Sequence, residues 1–457
     1  MAETATGVPA LGWRQLLGEG RGRLTAGILL VEFVAAVQSS VVASIMPAVA
    51  HDIGGIQFYG LVFSGYALAS IAATPNAGEA ADRQGPARPF TAMVAIFALG
   101  TLLAGFAPSM PVLAAARVIQ GWGGGAQYTI AYGAIAKAYP EGGRARILAL
   151  LSAMWIIPGL LGPGIGSLLA STIGWRWAFF LLLPLIVVAM LMVVPGLARL
   201  PGSASGGPRL PYRWPLLLAV GTGTFVTGLT MNSWVAVPVA AVGVVILIPA
   251  ARRVMPPGTF SARPGLGAAV LVGLLTNLGF FIGLFFLPLL LTRAAGRSLF
   301  EAGAAVTIVN VTWSVGAWWQ TRAIERFDKG RLIQLASLVL GLGLAGAASP
   351  LVGGPLLLAY LAWGAAGAAM GVAFNTLYLV AAEMAPPGGE TGAIAALQNT
   401  NRLGISLGTG LGGASIALAH FSGAPIAAGL GGAFALATAG PLLASVLSGR
   451  LKVADAA

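Results

Sequence analysis

The 457-residue sequence has no cysteine and only two histidines, His51 and His420, both near the ends of expected helices. These absences exclude a disulfide framework, a thiolate metal site and a haem, and no cofactor or metal is expected. Charge is almost as scarce, with Asp, Glu, Lys and Arg together at 8%. The first 23 residues hold no apolar core ahead of a small-residue cleavage site, so they read as a cytosolic tail and not as a signal peptide. What fills the chain is apolar: 57% hydrophobic residues and 66 glycines, a composition that could not keep most segments soluble. The fold class expected is an all-α integral membrane protein. A net charge of +12 would suggest nucleic acid in a soluble protein; here the placement of the charges argues against that partner and for a bilayer.

Runs long enough to span fall at about 24–50, 57–78, 88–107, 110–138, 145–172 and 177–198. A Pro/Gly/Ser-rich stretch from Pro201 to Pro211 reads as a linker. Shorter runs at 214–231 and 234–251 follow, then six more at about 265–293, 300–323, 332–349, 354–383, 391–419 and 424–448. The expected organisation is a cytoplasmic tail 1–23, a six-helix half 24–198, a linker 199–213, an inserted hairpin with its connecting loop 214–264, a second six-helix half 265–448 and a tail 449–457. With the N-terminus inside, twenty basic residues fall on the cytoplasmic side and three, Arg176, Arg293 and Arg297, outside. That asymmetry supports the orientation, with both termini in the cytoplasm of a cell-membrane protein. It also bears on the helix number, because a single crossing by 214–251 would put Arg322 to Arg331 outside. The insertion is thus a hairpin, giving fourteen helices, or does not span.

Residues 158 to 166 read Pro-Gly-Leu-Leu-Gly-Pro-Gly-Ile-Gly inside an apolar run from Ile147 to Thr172. A soluble helix would be broken by them, whereas membrane helices tolerate Pro and Gly because neighbours shield the freed backbone. Gly159, Gly162 and Gly166 present a flat face for close helix approach. With Pro163 they are similar to the G-x-x-x-G-P-x-x-G signature on helix 5 of exporters and antiporters in the major facilitator superfamily. Alone, the stretch reads better as a plain close-packed crossing.

Two further segments carry the same resemblance. Arg117, Gln120, Gly121 and Gly123 match the superfamily's helix 4 motif. An arginine in the hydrocarbon layer faces a cavity or a partner unless it snorkels to the interface. Arg402 also lies within a spanning run. The loop from Gly78 through Asp82 and Arg83 to Gly85 resembles the cytoplasmic G-x-x-x-D-R-x-G motif, which implies a conformational latch. Pro86 and Ala87 replace its usual basic pair and Arg88 arrives late. A degraded counterpart, with Glu325, Arg326 and Asp328, lies between Arg322 and Arg331.

Val37 to Pro47, Trp175 to Phe180 with Pro184, and Pro387 to Gly408 resemble signatures of the fourteen-helix drug:proton antiporter branch, although Leu182 stands where asparagine is usual. The resemblance implies an export pump with a central cavity and alternating access. Its embedded aspartate falls on Gln38 and its asparagine on Ala43, and glutamine carries no proton. Glu32, six residues earlier, lies about 9 Å along the axis and roughly 120° around it. Glu32 and Arg117 are the proton-coupling candidates. By helix rise they differ in depth by about 20 Å, so Arg117 is expected to meet Gln38 or backbone carbonyls of helices 1 and 5. Glu32 either takes up the proton or hydrogen-bonds a neighbouring helix as a structural acid.

Candidate cavity residues are Gln38, Asn277, Asn310, Asn375 and Tyr378, with the aromatics Trp122, Tyr128, Trp155, Phe281 and Trp313; Trp318 and Trp319 read as lipid-facing. An aromatic cavity with few charges suits a large amphiphile, cations included. The function expected is proton-coupled antiport of amphiphilic or hydrophobic compounds, and the alternative is a proton-independent transporter of lipid or amphiphile on the same fold. The partners are then a small amphiphilic substrate, protons and membrane lipid, with the chain a monomer. An enzyme is disfavoured, since no nucleophile, base or metal set is clustered.

Overall fold

The computed structural model describes residues 16–18, 21–202, 211–385 and 390–451. Most of the N-terminal tail, the linker stretch 203–210, Pro387 and the C-terminal tail beyond 451 lie outside the described residues, as does the side chain of Tyr128. Among the described residues every regular element is a helix. That is what a bilayer demands of open chain segments, because only a helix bonds all of its backbone within itself.

The helices are α1 (Arg21–Asp52), α2 (Tyr59–Gln84), α3 (Ala87–Gly105), α4 (Met110–Ala138), α5 (Glu141–Ala153), α6 (Ile156–Thr172), α7 (Trp177–Phe180) and α8 (Leu182–Leu197). After the linker come α9 (Arg213–Leu229), α10 (Ala236–Val254), α11 (Leu266–Leu289), α12 (Leu299–Ala323), α13 (Lys329–Ala347), α14 (Leu356–Glu383), α15 (Glu390–Phe421) and α16 (Ile426–Leu447). Among the described residues, eleven helical stretches are long and apolar enough to cross a membrane.

The fifth expected span, 145–172, is not one helix but two. The chain turns at Met154 and Trp155 between α5 and α6. The cause is in the sequence: Pro158 has no N–H to offer the Met154 carbonyl and its ring crowds that oxygen. Pro184 stands in the same relation to Phe180, where α7 gives way to α8.

Helices α1 to α8 pack mainly on one another, and so do α11 to α16. The two groups meet chiefly along α2 with α15 and along α6 with α12. Glycine sets the separations. A side chain at Gly121 or Gly125 of α4 would run into the backbone of α2 at Tyr66 or Ser70, and one at Gly60 of α2 into the backbone of Gly413 in α15. Helices α9 and α10 lie against each other through Gly221, Gly228 and Gly243. The other side of α10 bares Val237, Val242 and Val245.

Candidate transport site

Arg117 sits three residues before Gln120 on α4 and is 4% exposed, so it does not snorkel. Its Nη1 donates to Gln120 Oε1 at 2.5 Å and its Nε to the Val62 carbonyl of α2 at 3.3 Å. The guanidinium lies 4.4 Å from the centroid of the Tyr66 ring. Gln120 in turn donates to Thr101 Oγ1 of α3 at 2.8 Å and accepts a long bond from Gln38 Nε2 of α1 at 3.4 Å. The expected meeting with Gln38 therefore runs through Gln120. The carbonyl comes from α2 and not from helices 1 or 5, because the α4 glycines bring α2 closest. Dipoles and a π face hold this cation, a desolvated arrangement worth more than the same contacts in water. Arg117→Ala is expected to lose transport in a vesicle assay, and Arg117→Lys to retain little, since an ammonium has no fork to serve Gln120 and Val62 together. Full activity in both variants would remove Arg117 from the site.

Glu32 is buried in α1, 4% exposed, and accepts a hydrogen bond from Trp155 Nε1 at 2.6 Å. Trp155 stands at the α5–α6 break. Among the described residues no basic side chain forms an ion pair with Glu32. The bond to a neighbouring helix, one of the two roles open from the sequence, is thus present; it leaves the carboxyl chemically able to take a proton.

The Gly-Pro segment occupies two seams. Toward α1, a side chain at Gly162 would come within 3.1 Å of Ser40 Cβ, and one at Gly166 within 2.6 Å of Ser44 Oγ. Toward α12, Asn310 Nδ2 donates to the Gly159 carbonyl at 3.3 Å, and Thr307 Oγ1 donates to the Leu160 carbonyl at 3.3 Å. Pro163 lacks the N–H that would otherwise serve Gly159 four residues back. Asn310, expected in the cavity wall, supplies that donor from the other helix group.

The remaining cavity candidates do not form one cluster. Phe281 and Trp313 both touch Phe280, at ring centroid distances of 5.3 and 5.0 Å, and Trp313 reaches Tyr378 through Phe374 at 5.5 and 4.8 Å. Phe281 also leads through Phe285 to Phe63 of α2, stacked at 4.0 Å, so a run of rings joins the two helix groups. Asn277 is buried against Gly404, donates to the Gly273 carbonyl, and leaves its amide oxygen without a partner. Asn375 is half-buried on α14, and Trp122 packs between two apolar clusters on α4. Trp318 and Trp319 are exposed on α12, with the Arg322 guanidinium 3.8 Å from the centroid of the Trp318 ring. A cleft of about 510 Å³ opens instead between α6 and α12, lined by Leu160, Leu161, Ile165, Leu168 and Phe300 with Ser167 and Ser171, and includes none of the cavity candidates.

In the Gly78–Gly85 segment, Asp82 pairs with Lys137 of α4 at 3.3 Å and Arg83 with Glu79 at 2.6 Å. Gly85 adopts φ +80° at the end of α2, a conformation glycine permits. Gly78 faces Thr129 of α4, and Arg88 is exposed on α3. In the counterpart, Asp328 caps α13 through the Arg331 N–H, while Lys329 pairs with Glu383 of α14 at 2.5 Å. At the end of α1, Asp52 accepts bonds from Trp175 and Arg176, both at 2.9 Å. Sequence reasoning missed Lys137, Tyr66 and the Phe63–Phe285 stack. It also missed that Arg402 of α15 donates to Thr74 Oγ1 of α2 at 2.5 Å. The aromatic spacing of Phe281 and Phe285, four apart on one helix face, was a signal available for part of this.

Embedded charges held by neutral partners, Gly-Pro helix seams and two helix groups joined along them define a multi-span membrane transporter. The chain belongs to the Major Facilitator Superfamily, whose model matches residues 28–409. It is 28% identical over 470 residues to the probable multidrug-efflux transporter Rv1634 of Mycobacterium tuberculosis (strain ATCC 25618 / H37Rv), covering 97% of this chain and 98% of that protein. It is 26% identical over 302 residues to the multidrug transporter protein MdtP of Bacillus subtilis (strain 168), covering 63% of this chain and 55% of that one. Among solved structures, an auto-inhibited POT family peptide transporter superposes with a TM-score of 0.70 at 14% identity, covering 95% of this chain and 98% of its own. A bacterial homolog of the human lysosomal transporter Spinster superposes with 0.68 at 17%, covering 96% and 100%. These structural likenesses carry the fold alone.

Proposed function

We propose that the protein is a proton-coupled exporter of amphiphilic or hydrophobic compounds, working by alternating access as a monomer in the cell membrane. Two six-helix halves, 24–198 and 265–448, rock about the α2–α15 and α6–α12 seams, and α9 with α10 form an inserted hairpin within 214–264. That gives fourteen spans, with the linker 199–213 and both tails, 1–23 and 449–457, in the cytoplasm. Glu32 takes up the coupling proton, and Arg117 holds the helix 4 side of the pathway. The observation that carries this reading is Glu32 itself, buried well inside α1 and bonded to a neutral donor, while the other described acids stand at or near helix ends. The names of the relatives support efflux as the direction.

Purified protein in sealed vesicles should move the fluorescent amphiphile rhodamine 6G against its gradient when a pH difference is imposed. Equal movement without the pH difference would favour a proton-independent transporter of lipid or amphiphile, for which the apolar α6–α12 cleft is the supporting feature. The topology has its own check, made simple by the absence of native cysteine. Exposed Arg88→Cys, Arg253→Cys and Arg326→Cys should label only from the cytoplasm, and Arg297→Cys only from outside. Outside labelling at position 326 with inside labelling at position 88 would refute fourteen spans.

A further inference from the structure

Trp155 belongs to a line of hydrogen bonds that starts on one helix group and ends on the embedded acid of the other. Asn310 Nδ2 of α12 donates to the Gly159 carbonyl at 3.3 Å; the Gly159 N–H donates to the Trp155 carbonyl at 3.0 Å; Trp155 Nε1 donates to Glu32 Oε1 at 2.6 Å. The middle of the line is the Gly-Pro stretch. Its first turn carries Trp155 at the break from α5, and Pro163 is what leaves the Gly159 oxygen open to α12.

We infer that Trp155 is a positioning residue for proton coupling, which gives or withdraws its indole N–H at Glu32 according to how α6 sits on α12. This rests on Glu32 being the proton carrier. The chemistry follows from the donor: an indole donates and never accepts, so it serves the carboxylate better than the carboxylic acid, and charge-assisted bonds are the stronger kind. When α12 moves away, the Asn310 hold on Gly159 is released, the first turn of α6 is free to rotate, and the indole leaves Glu32. A carboxylate left without its donor in an apolar setting is costly, so a proton takes the donor's place. Among the described residues, the titratable side chain of α2 whose charge state couples to Glu32 is Tyr66, and its ring carries the Arg117 guanidinium of α4 at 4.4 Å. That cation is present whether or not the indole is.

The inference assigns Trp155 to the coupling step and not to the substrate wall, and a variant cycle separates the two. Wild type, Trp155→Phe, Glu32→Gln and the double variant are reconstituted in vesicles. Rhodamine 6G movement is read both as export driven by a pH difference and as exchange without one. Trp155→Phe should lower driven export about tenfold and leave exchange within about twofold of wild type. In the Glu32→Gln background, where driven export is already absent and no titrating group is left for the indole to control, the same change should leave exchange within about twofold of the single variant. Wild-type driven export in Trp155→Phe would overturn the inference, and so would equal losses of export and exchange, which mark a substrate-wall or structural role. Driven export that persists in Glu32→Gln alone would instead sink the proton-carrier reading.

Discussion

Glu32→Gln is expected to eliminate export driven by a pH difference while leaving substrate binding and gradient-free exchange intact. The substitution is nearly isosteric, and the amide oxygen still accepts the Trp155 N–H, so the packing of α1 against the α5–α6 break need not change. What disappears is the proton site, because an amide does not titrate in the working range. The measurement is dye export from sealed vesicles under an imposed pH difference, set beside equilibrium binding of the same dye to the purified protein. Loss of both would mean that Glu32 supports the fold or the substrate; loss of neither would move the coupling role elsewhere.

Gly303→Leu should arrest transport as thoroughly, by steric means. Gly303 of α12 faces Ser167 Oγ at 2.5 Å and the Pro163 carbonyl oxygen at 3.0 Å, measured from where a first side-chain carbon would stand. Overpacking a seam costs about 1–3 kcal/mol, and a bias of that size shifts a two-state equilibrium roughly five- to 150-fold. The strain falls between the two helix groups, so it should disfavour the arrangement in which α6 and α12 touch and leave each group folded. Gly133→Leu, on the exposed side of α4, is the control, since nothing lies within 4 Å of that position. It should transport as wild type with unchanged thermal stability. A Gly303→Leu protein that transports normally would show that the seam never has to close.

The superfamily fold and the two helix motifs were legible because both are local. Hydropathy marks spans, and closely spaced glycines mark places where backbones meet. The break at Met154 and Trp155 was written in Pro158, yet a hydropathy window averages over it and sees one apolar run. The partnerships were less legible, because they join residues far apart in the chain. Trp155 reaches Glu32 across 123 residues, and Arg402 reaches Thr74 across 328. Nothing near Tyr66 sets it apart from any other tyrosine in an apolar helix; its place beside Arg117 follows from Gly121 and Gly125 drawing α2 onto α4. Asn310 is intermediate, for the missing N–H of Pro163 shows that some donor is needed at Gly159 but not which residue brings it.

The meeting of α2 and α15 at Gly60 and Gly413 bears on how fast such a carrier can work. Main chain lies against main chain there, with no interlocking side chains to withdraw. The glycines themselves have no rotamer to change as the surfaces part, whereas the next residue along α2, Tyr59, donates to the Phe285 carbonyl of α11 at 3.1 Å and packs on Phe286. On the proposed alternating access, the slow events of a turnover should lie in side-chain exchanges between the groups: Arg402 leaving Thr74, Tyr59 leaving the Phe285 carbonyl and the Phe63–Phe285 stack coming apart.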